Sequence, residues 1–193
     1  MARLIQWNQI SLDGYFEGAK KWDLEWHKSF WDQELDEFSI EQLRSAGMLL
    51  FGRNTYEGMA AYWKTEHGEV ADFMNSLPKA VVSRLLQEAD WNNTRIIRGG
   101  TAEETAKLKR EIEKDIFVFG SAALSATLTK AGLFDEFRLA LAPAVLGRGT
   151  PLFGRDLPRQ RLMLLEARPL KSGVVILRYA PLLDATDRKK QGG

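Results

Sequence analysis

Short apolar runs, each closed by glycine, proline or a polar turn, alternate with amphipathic stretches over the first 130 residues of the chain. Leu4, Ile5, Trp7 and Ile10 mark a first strand, broken at Ser11-Leu-Asp-Gly14 because Asp-Gly favours a turn with positive φ. Met48-Leu-Leu-Phe51 is apolar throughout, as strands buried on both faces of an α/β sheet are. Lys79-Ala-Val-Val-Ser83, Arg95-Ile-Ile-Arg98 and Asp115-Ile-Phe-Val-Phe119 read as further strands. Between them the spacing turns helical. Leu35, Phe38, Ile40 and Leu43 fall near one face of a helix predicted from Asp32 to Ala46 and stopped by Gly47. Helices are also predicted from Asp23 to Phe30, after Gly52 to Tyr62, and from Gly120-Ser121 to Lys130, with a helical turn from Asp72 to Ser76. A further helix runs from Thr101 to Lys114, with Thr101 and Glu104 spaced as a capping box. After Gly132 strands dominate: Asp135 to Ala142, then Arg161 to Ala167 and Val174 to Tyr179, joined at Lys171-Ser-Gly173 as a hairpin. The pattern predicts a mixed α/β sheet of about eight strands, parallel where helices cross over and antiparallel at the terminal hairpin.

Length and composition narrow this to one domain. The 193 residues suit a single core, 45% are apolar and 10% aromatic, and a chain of this size buries roughly 70% of its unfolded surface. With 27 basic and 26 acidic residues the net charge is +1, which leaves no electrostatic footprint for nucleic acid or an anionic membrane. Zero cysteine excludes disulfides, thiolate catalysis and Cys-ligated zinc or iron–sulfur sites, and with two histidines no metal centre is expected. No apolar window approaches the ~18 residues of a membrane span, and no secretion signal is read, so the expected location is the cytoplasm. Residues 1–181 are expected to form the domain and residues 182–193 a polar, disordered tail.

Candidate chemistry sits where a strand ends in glycine and a helix begins. This happens at Leu49-Leu-Phe-Gly52-Arg53-Asn-Thr55 and again at Phe117-Val-Phe-Gly120-Ser121-Ala122. Free N–H groups at a helix start favour an anion, and glycine lets a phosphate approach the backbone. Arg53 adds a guanidinium fork, and Thr55 and Ser121 add hydroxyl donors. Either glycine alone reads more readily as a simple turn between strand and helix; two such junctions favour a nucleotide with several phosphates. Ser83-Arg84, at the end of a strand, pairs a hydroxyl with a guanidinium and suits a phosphomonoester. The familiar nucleotide fingerprints are missing: Leu152 stands where G-x-G-x-x-G needs its third glycine, and Arg155-Asp156 replaces the Lys-Ser/Thr of a P-loop. Asp23-Leu-Glu-Trp-His27 is the acid–base candidate, since on a helix Asp23 and His27 share a face and nearby Trp residues could raise a carboxylate pKa. Asp23 reads alternatively as a helix cap, and Asp13 as turn chemistry.

Five motifs in order, Ser11-Leu-Asp-Gly-Tyr15, Phe51-Gly-Arg-Asn-Thr-Tyr-Glu57, Lys79-Ala-Val-Val-Ser-Arg84, Phe117-Val-Phe-Gly-Ser-Ala122 and Leu146-Gly-Arg-Gly-Thr-Pro-Leu-Phe153, resemble the dihydrofolate reductase-like superfamily. Within it, the chain is most similar to the reductase domain of bacterial riboflavin biosynthesis and its stand-alone relatives. The resemblance implies a three-layer α/β fold, a mixed, mostly parallel eight-stranded sheet flanked by helices, and NADPH across its carboxyl edge. It implies that Gly52, Arg53 and Thr55 meet the adenosine phosphate end, and that Ser83 and Arg84 hold the 2′-phosphate. Gly120, Ser121, Ala122 and Leu124 would hold the pyrophosphate. Asp23-Leu-Glu-Trp-His-Lys28 resembles the segment that carries the substrate-binding acid of some dihydrofolate reductases, which makes Asp23 a proton donor or substrate anchor. Tyr15, Phe16, Trp22 and Trp26 are available to stack on a small heterocycle, pterin-like or ribosylaminopyrimidine-like, and Trp7 reads equally as stacking partner or core. A homodimer, through the late strands, is the family expectation. The alternative is a nucleotide-binding module without turnover, which a fold resemblance leaves open.

Overall fold

The computed structural model describes residues 1–154 and 156–182; Arg155 and residues 183–193, nearly all of the expected tail, lie outside the described residues. Among the described residues ten strands and six helices follow one another, beginning with β1 (Leu4–Ser11), β2 (Tyr15–Glu17), α1 (Glu25–Lys28), α2 (Gln33–Ser45), β3 (Ala46–Gly52), α3 (Arg53–Trp63), α4 (Glu69–Ser76) and β4 (Lys79–Val82). The chain continues through β5 (Thr94–Ile97), α5 (Thr101–Glu111), β6 (Asp115–Phe119), α6 (Ala122–Lys130), β7 (Glu136–Ala142), β8 (Thr150–Pro151), β9 (Leu162–Pro169) and β10 (Val175–Pro181). Eight strands form one sheet in the order β5-β4-β3-β6-β1-β7-β10-β9, and β2 pairs with β8 in a separate ribbon. From β5 to β7 all neighbours are parallel; β10 runs antiparallel to both β7 and β9. The mixed, mostly parallel eight-stranded sheet is therefore as expected.

The apolar runs are explained by two cores. Alternate side chains of a strand point to opposite faces. Leu49 and Phe51 of β3 pack with Leu35, Phe38 and Leu43 of α2, Tyr56 of α3 and Met74 of α4. Met48 and Leu50 of the same strand pack with Leu108 of α5 and Leu124 and Leu128 of α6. Both faces are covered, so no polar alternation survives in β3 or β6. Trp7 belongs to the first core, 6% exposed and edge-on to Phe38 at 5.4 Å, which settles it as core rather than stacking partner.

Polar groups inside the fold are bonded with care. Lys79 is fully buried, and its ammonium donates to the carbonyls of Asn75 (3.1 Å), Leu77 (2.7 Å) and Asn92 (3.0 Å), tying the end of α4 to the start of β4. Glu136, at the start of β7, accepts from Arg3, Arg138 and Arg178.

Several local expectations are corrected. The first helix is four residues long and does not contain Asp23. Asp23 instead closes a loop: its carbonyl accepts from Gly18 N–H (2.9 Å) and its N–H donates to Lys20 O (3.1 Å). Trp22, at φ 63°, holds that loop out of helical geometry. Gly47 does not stop α2, because the chain passes directly into β3 at Ala46. The capping box at Thr101 does not form: Gly100 is the N-cap, with no side-chain cap bond, and Glu103 folds back against it. The turn expected at Asp72–Ser76 is a two-turn helix, α4. β2 and β8 carry no sequence pattern and were not expected.

Candidate functional site

β3 and β6 are neighbours in the sheet, yet the helices that follow them leave to opposite faces, α3 beside α4 and α6 beside α5. Such a switch point opens a crevice at the carboxyl ends of the two strands, where open α/β sheets bind ligands. Both glycine junctions lie there, and they are bonded to each other. Gly52 N–H donates to Ser121 Oγ (3.0 Å), and Ser121 N–H donates to Thr55 Oγ1 (3.1 Å). Each hydroxyl is thereby an acceptor within the protein and keeps its own proton to donate outward. Neither α3 nor α6 has a side-chain cap bond, so the first-turn N–H groups have no side-chain partner.

The second junction is built on two consecutive left-handed residues, Gly120 (φ 51°) and Ser121 (φ 55°). A Cβ on Gly120 would meet Thr55 Cγ2 at 3.4 Å and the Phe16 ring at 3.5 Å, ordinary contact distances, so it is the left-handed backbone that calls for glycine there. Ser125 Oγ donates to the Gly120 carbonyl (3.1 Å), and the Asn8 amide, oriented with its oxygen toward β6, accepts from Gly120 N–H (3.0 Å).

The expected phosphate residues converge on this edge. Ala122 opens α6, while the Leu124 side chain is buried beneath Gly52 and offers only its backbone. Arg53 lies along α3 in an ion pair with Glu57 (2.9 Å), and is 39% exposed. Val82 pairs with Gly52 in register, which sets Ser83 and Arg84 at the same edge one strand over. Ser83 Oγ accepts from the N–H groups of Leu85 (3.1 Å) and Leu86 (3.0 Å), holding the turn, and Arg84 is exposed without an ion pair among the described residues.

The substrate-side candidates form the rim. Tyr15 and Phe16 are in β2. Asp13 ties this segment to the loop at 146–147: its carboxylate accepts from the Ser11 hydroxyl (2.6 Å) and from the N–H groups of Gly147 (2.8 Å) and Leu146 (3.1 Å). The Ser11 bond first, then the two N–H groups, holds Asp13 below the usual carboxylate range. Glu17 accepts from Trp22 N–H (2.6 Å) and from the Thr150 hydroxyl (2.8 Å). The first and last of the five motifs are thus one physical unit.

Trp22 rests on α3 at Gly58, where its indole leaves no room for a Cβ. Trp26, in α1, meets the His27 ring edge-on at 4.3 Å. His27 Nε2 lies 3.0 Å from the Phe16 carbonyl, which can only accept, so Nε2 carries the proton. Burial pushes the imidazole down to about 4, and it is neutral at pH 7. Asp23 packs against Gly18, partly buried, and its carboxylate has no hydrogen bond among the described residues. The shared helical face expected for Asp23 and His27 does not exist. Gln9, 5% exposed and next to α1, was missed. It is one of four polar residues, with Gln6, Asn8 and Ser11, on a strand buried along its whole length, and nothing in the sequence singles it out from them.

A groove of about 480 Å³ lies at the opposite, amino edge among Lys79, Trp91, Thr94 and Glu111. It gathers no converging free donors, since the Lys79 ammonium is spent on three carbonyls. Among the described residues there is no cluster of metal-ligating side chains, and no helix is long and apolar enough to cross a membrane.

Fold and site together define an α/β protein of the dihydrofolate reductase-like class. A solved structure of a provisionally named riboflavin biosynthesis protein from Shewanella sp. PV-4 matches 95% of this chain and 100% of its own at TM-score 0.79 and 21% identity. Dihydrofolate reductase from Enterococcus faecalis, complexed with NADP(H) and RAB-propyl, matches 93% of this chain and 96% of its own at TM-score 0.60 and 11% identity. Residues 3–176 match the RibD C-terminal domain, and the chain belongs to that family. The uncharacterized protein YyaP of Bacillus subtilis (strain 168) is 34% identical over 182 residues, 92% of this chain and 94% of that one.

Proposed function

We propose that this protein is an NADPH-dependent reductase that delivers hydride to a small heterocycle, pterin-like or ribosylaminopyrimidine-like. The observation that carries the reading is the bonded pair of junctions: Gly52 to Ser121 and Ser121 to Thr55 aim two uncapped helix starts and two free hydroxyl protons into one crevice. The residues fit the coenzyme. Gly120 and Ser121, both left-handed, turn the backbone at the start of α6, and Arg84, exposed beyond β4 and without an ion pair among the described residues, suits a 2′-phosphate. Bound there, the reduced nicotinamide would supply the hydride. The chain's part is to hold the phosphates, orient the ring through the β1 and β2 backbones, and exclude water beneath Phe16 and α1. Asp23 is the proton donor or substrate anchor in this reading. Membership of the RibD C-terminal domain family supports reductase chemistry related to riboflavin biosynthesis, and the location in this proposal is the cytoplasm. A homodimer through β9 completes the proposal, because that edge strand exposes Leu162, Met163, Leu164 and Leu165.

The test is calorimetric titration with NADPH, followed by absorbance at the reduced-nicotinamide band with a panel of pterins and aminopyrimidines. Saturable binding plus substrate-dependent oxidation is expected, and Asp23→Asn should lower the oxidation rate at least tenfold while coenzyme affinity holds. Binding with no oxidation across the panel would replace the reductase by a binding module, and no heat of binding would remove the coenzyme.

A further inference from the structure

Two buried polar atoms of opposite character are left without partners beside the candidate site: the Gln9 carbonyl oxygen Oε1, an acceptor, and the Trp26 indole Nε1–H, a donor. Native folds rarely leave such groups unbonded, because neither water nor protein then offsets their desolvation. The Gln9 amide is not free to turn, since its Nε2 donates toward the His27 carbonyl (3.4 Å), which leaves Oε1 as the unmatched end. Trp26 is the next residue and packs edge-on against the same His27. His27 holds the Phe16 carbonyl, and the Phe16 ring lies against Gly120, so His27 and Phe16 link the two orphaned groups to the glycine junction, while Trp26 also packs against the first core.

We infer that Gln9 and Trp26 form a recognition pair for a neutral amide edge, an N–H beside a C=O, on the ligand of this site. The ligand's N–H donates to Gln9 Oε1 and its carbonyl accepts from Trp26 Nε1–H. The inference rests on the reductase reading and deepens it by naming the chemistry read at the substrate end. Both protein atoms are neutral, as is His27 beside them, so the pair favours an uncharged lactam, imide or carboxamide over an amidinium or a carboxylate. That edge has two sources, a ring lactam of the substrate or the carboxamide of the coenzyme. Both orphans are closed to solvent, so the single-turn α1 must shift outward to admit either one.

The test uses the whole protein labelled with 15N at its indoles, with the Trp26 resonance assigned through Trp26→Phe. Uracil and 1,3-dimethyluracil probe the lactam source; NADPH and its 3-acetylpyridine analogue, which keeps the carbonyl and loses the NH2, probe the carboxamide source. A downfield shift of the Trp26 indole N–H is expected with uracil or with NADPH, and that probe's N–H-deficient counterpart, which keeps the carbonyl, should bind about tenfold more weakly because Gln9 Oε1 loses its donor. Affinity for the active probe should fall about tenfold in Gln9→Leu and in Trp26→Phe, the loss of one hydrogen bond. An unmoved Trp26 resonance with every probe, or unaltered affinity in both variants, overturns the inference. NADPH binding measured by calorimetry in the same samples separates that failure from failure of the coenzyme reading.

Discussion

His27 is a histidine that folding holds uncharged. Its Nε2–H is committed to the Phe16 carbonyl, and burial pushes its pKa from 6.5 to about 4. In the unfolded chain it binds a proton near pH 6.5, so between the two values the unfolded state takes up protons that the native state refuses. The associated stability is fully present above pH 6.5 and is lost as pH falls toward 4, by up to about 3 kcal/mol. Thermal unfolding at pH 7.5 and pH 5 checks this. His27→Gln, which keeps a donor for Phe16, should flatten the dependence across that window, and an equally steep profile in the variant would assign the acid sensitivity elsewhere. Because α1 is a single turn, its hold on the rim is one hydrogen bond and two rings.

At the level of elements, the two strand–helix junctions act as one device. Ser121 Oγ accepts from Gly52 N–H while the Ser121 backbone N–H donates to Thr55 Oγ1, so Ser121→Ala removes the first strut together with the hydroxyl and keeps the second. NADPH affinity should drop about tenfold or more in Ser121→Ala. Arg84→Ala should weaken NADPH by a similar factor and leave NADH nearly unchanged, because only the former has the 2′-phosphate. Parallel titrations of both coenzymes decide it, and equal losses for the two would detach Arg84 from the phosphate. These junctions were legible in the sequence because each is a purely apolar strand stopped by glycine, a pattern set by burial on both faces. The rim was not. β2 and β8 contribute three and two residues, too few for any periodicity, and exist only because Glu17 and Asp13 bond across more than a hundred residues to the 146–150 loop. The α1 segment misled for a local reason: helical spacing from Asp23 is real, but Trp22 in a left-handed conformation and the Gly18–Asp23 hydrogen bond delay the helix by two residues. Gln9 was invisible because strand periodicity says which face a residue occupies and nothing about whether its amide finds a partner.

Across the whole molecule, the sheet has two unlike edges. β5 is short and carries the charged Arg95, which discourages strand addition. β9 is eight residues long and exposes four consecutive apolar side chains, Leu162 to Leu165, each between 38% and 53% accessible. Leu164→Lys should convert a dimer to monomer in sedimentation velocity without lowering coenzyme affinity; a monomeric parent protein would remove the dimer from the proposal. The sheet's centre has a different consequence. β1, the first strand of the chain, lies between β6 and β7, whose nearest residues are more than a hundred positions later. During synthesis on the ribosome this strand, buried on both faces in the native sheet, must wait for residues 115–142 before it gains either neighbour, so the amino-terminal half cannot fold ahead of the rest. Chaperone engagement of nascent chains should therefore be strongest on β1 and should end only after β7 has left the exit tunnel.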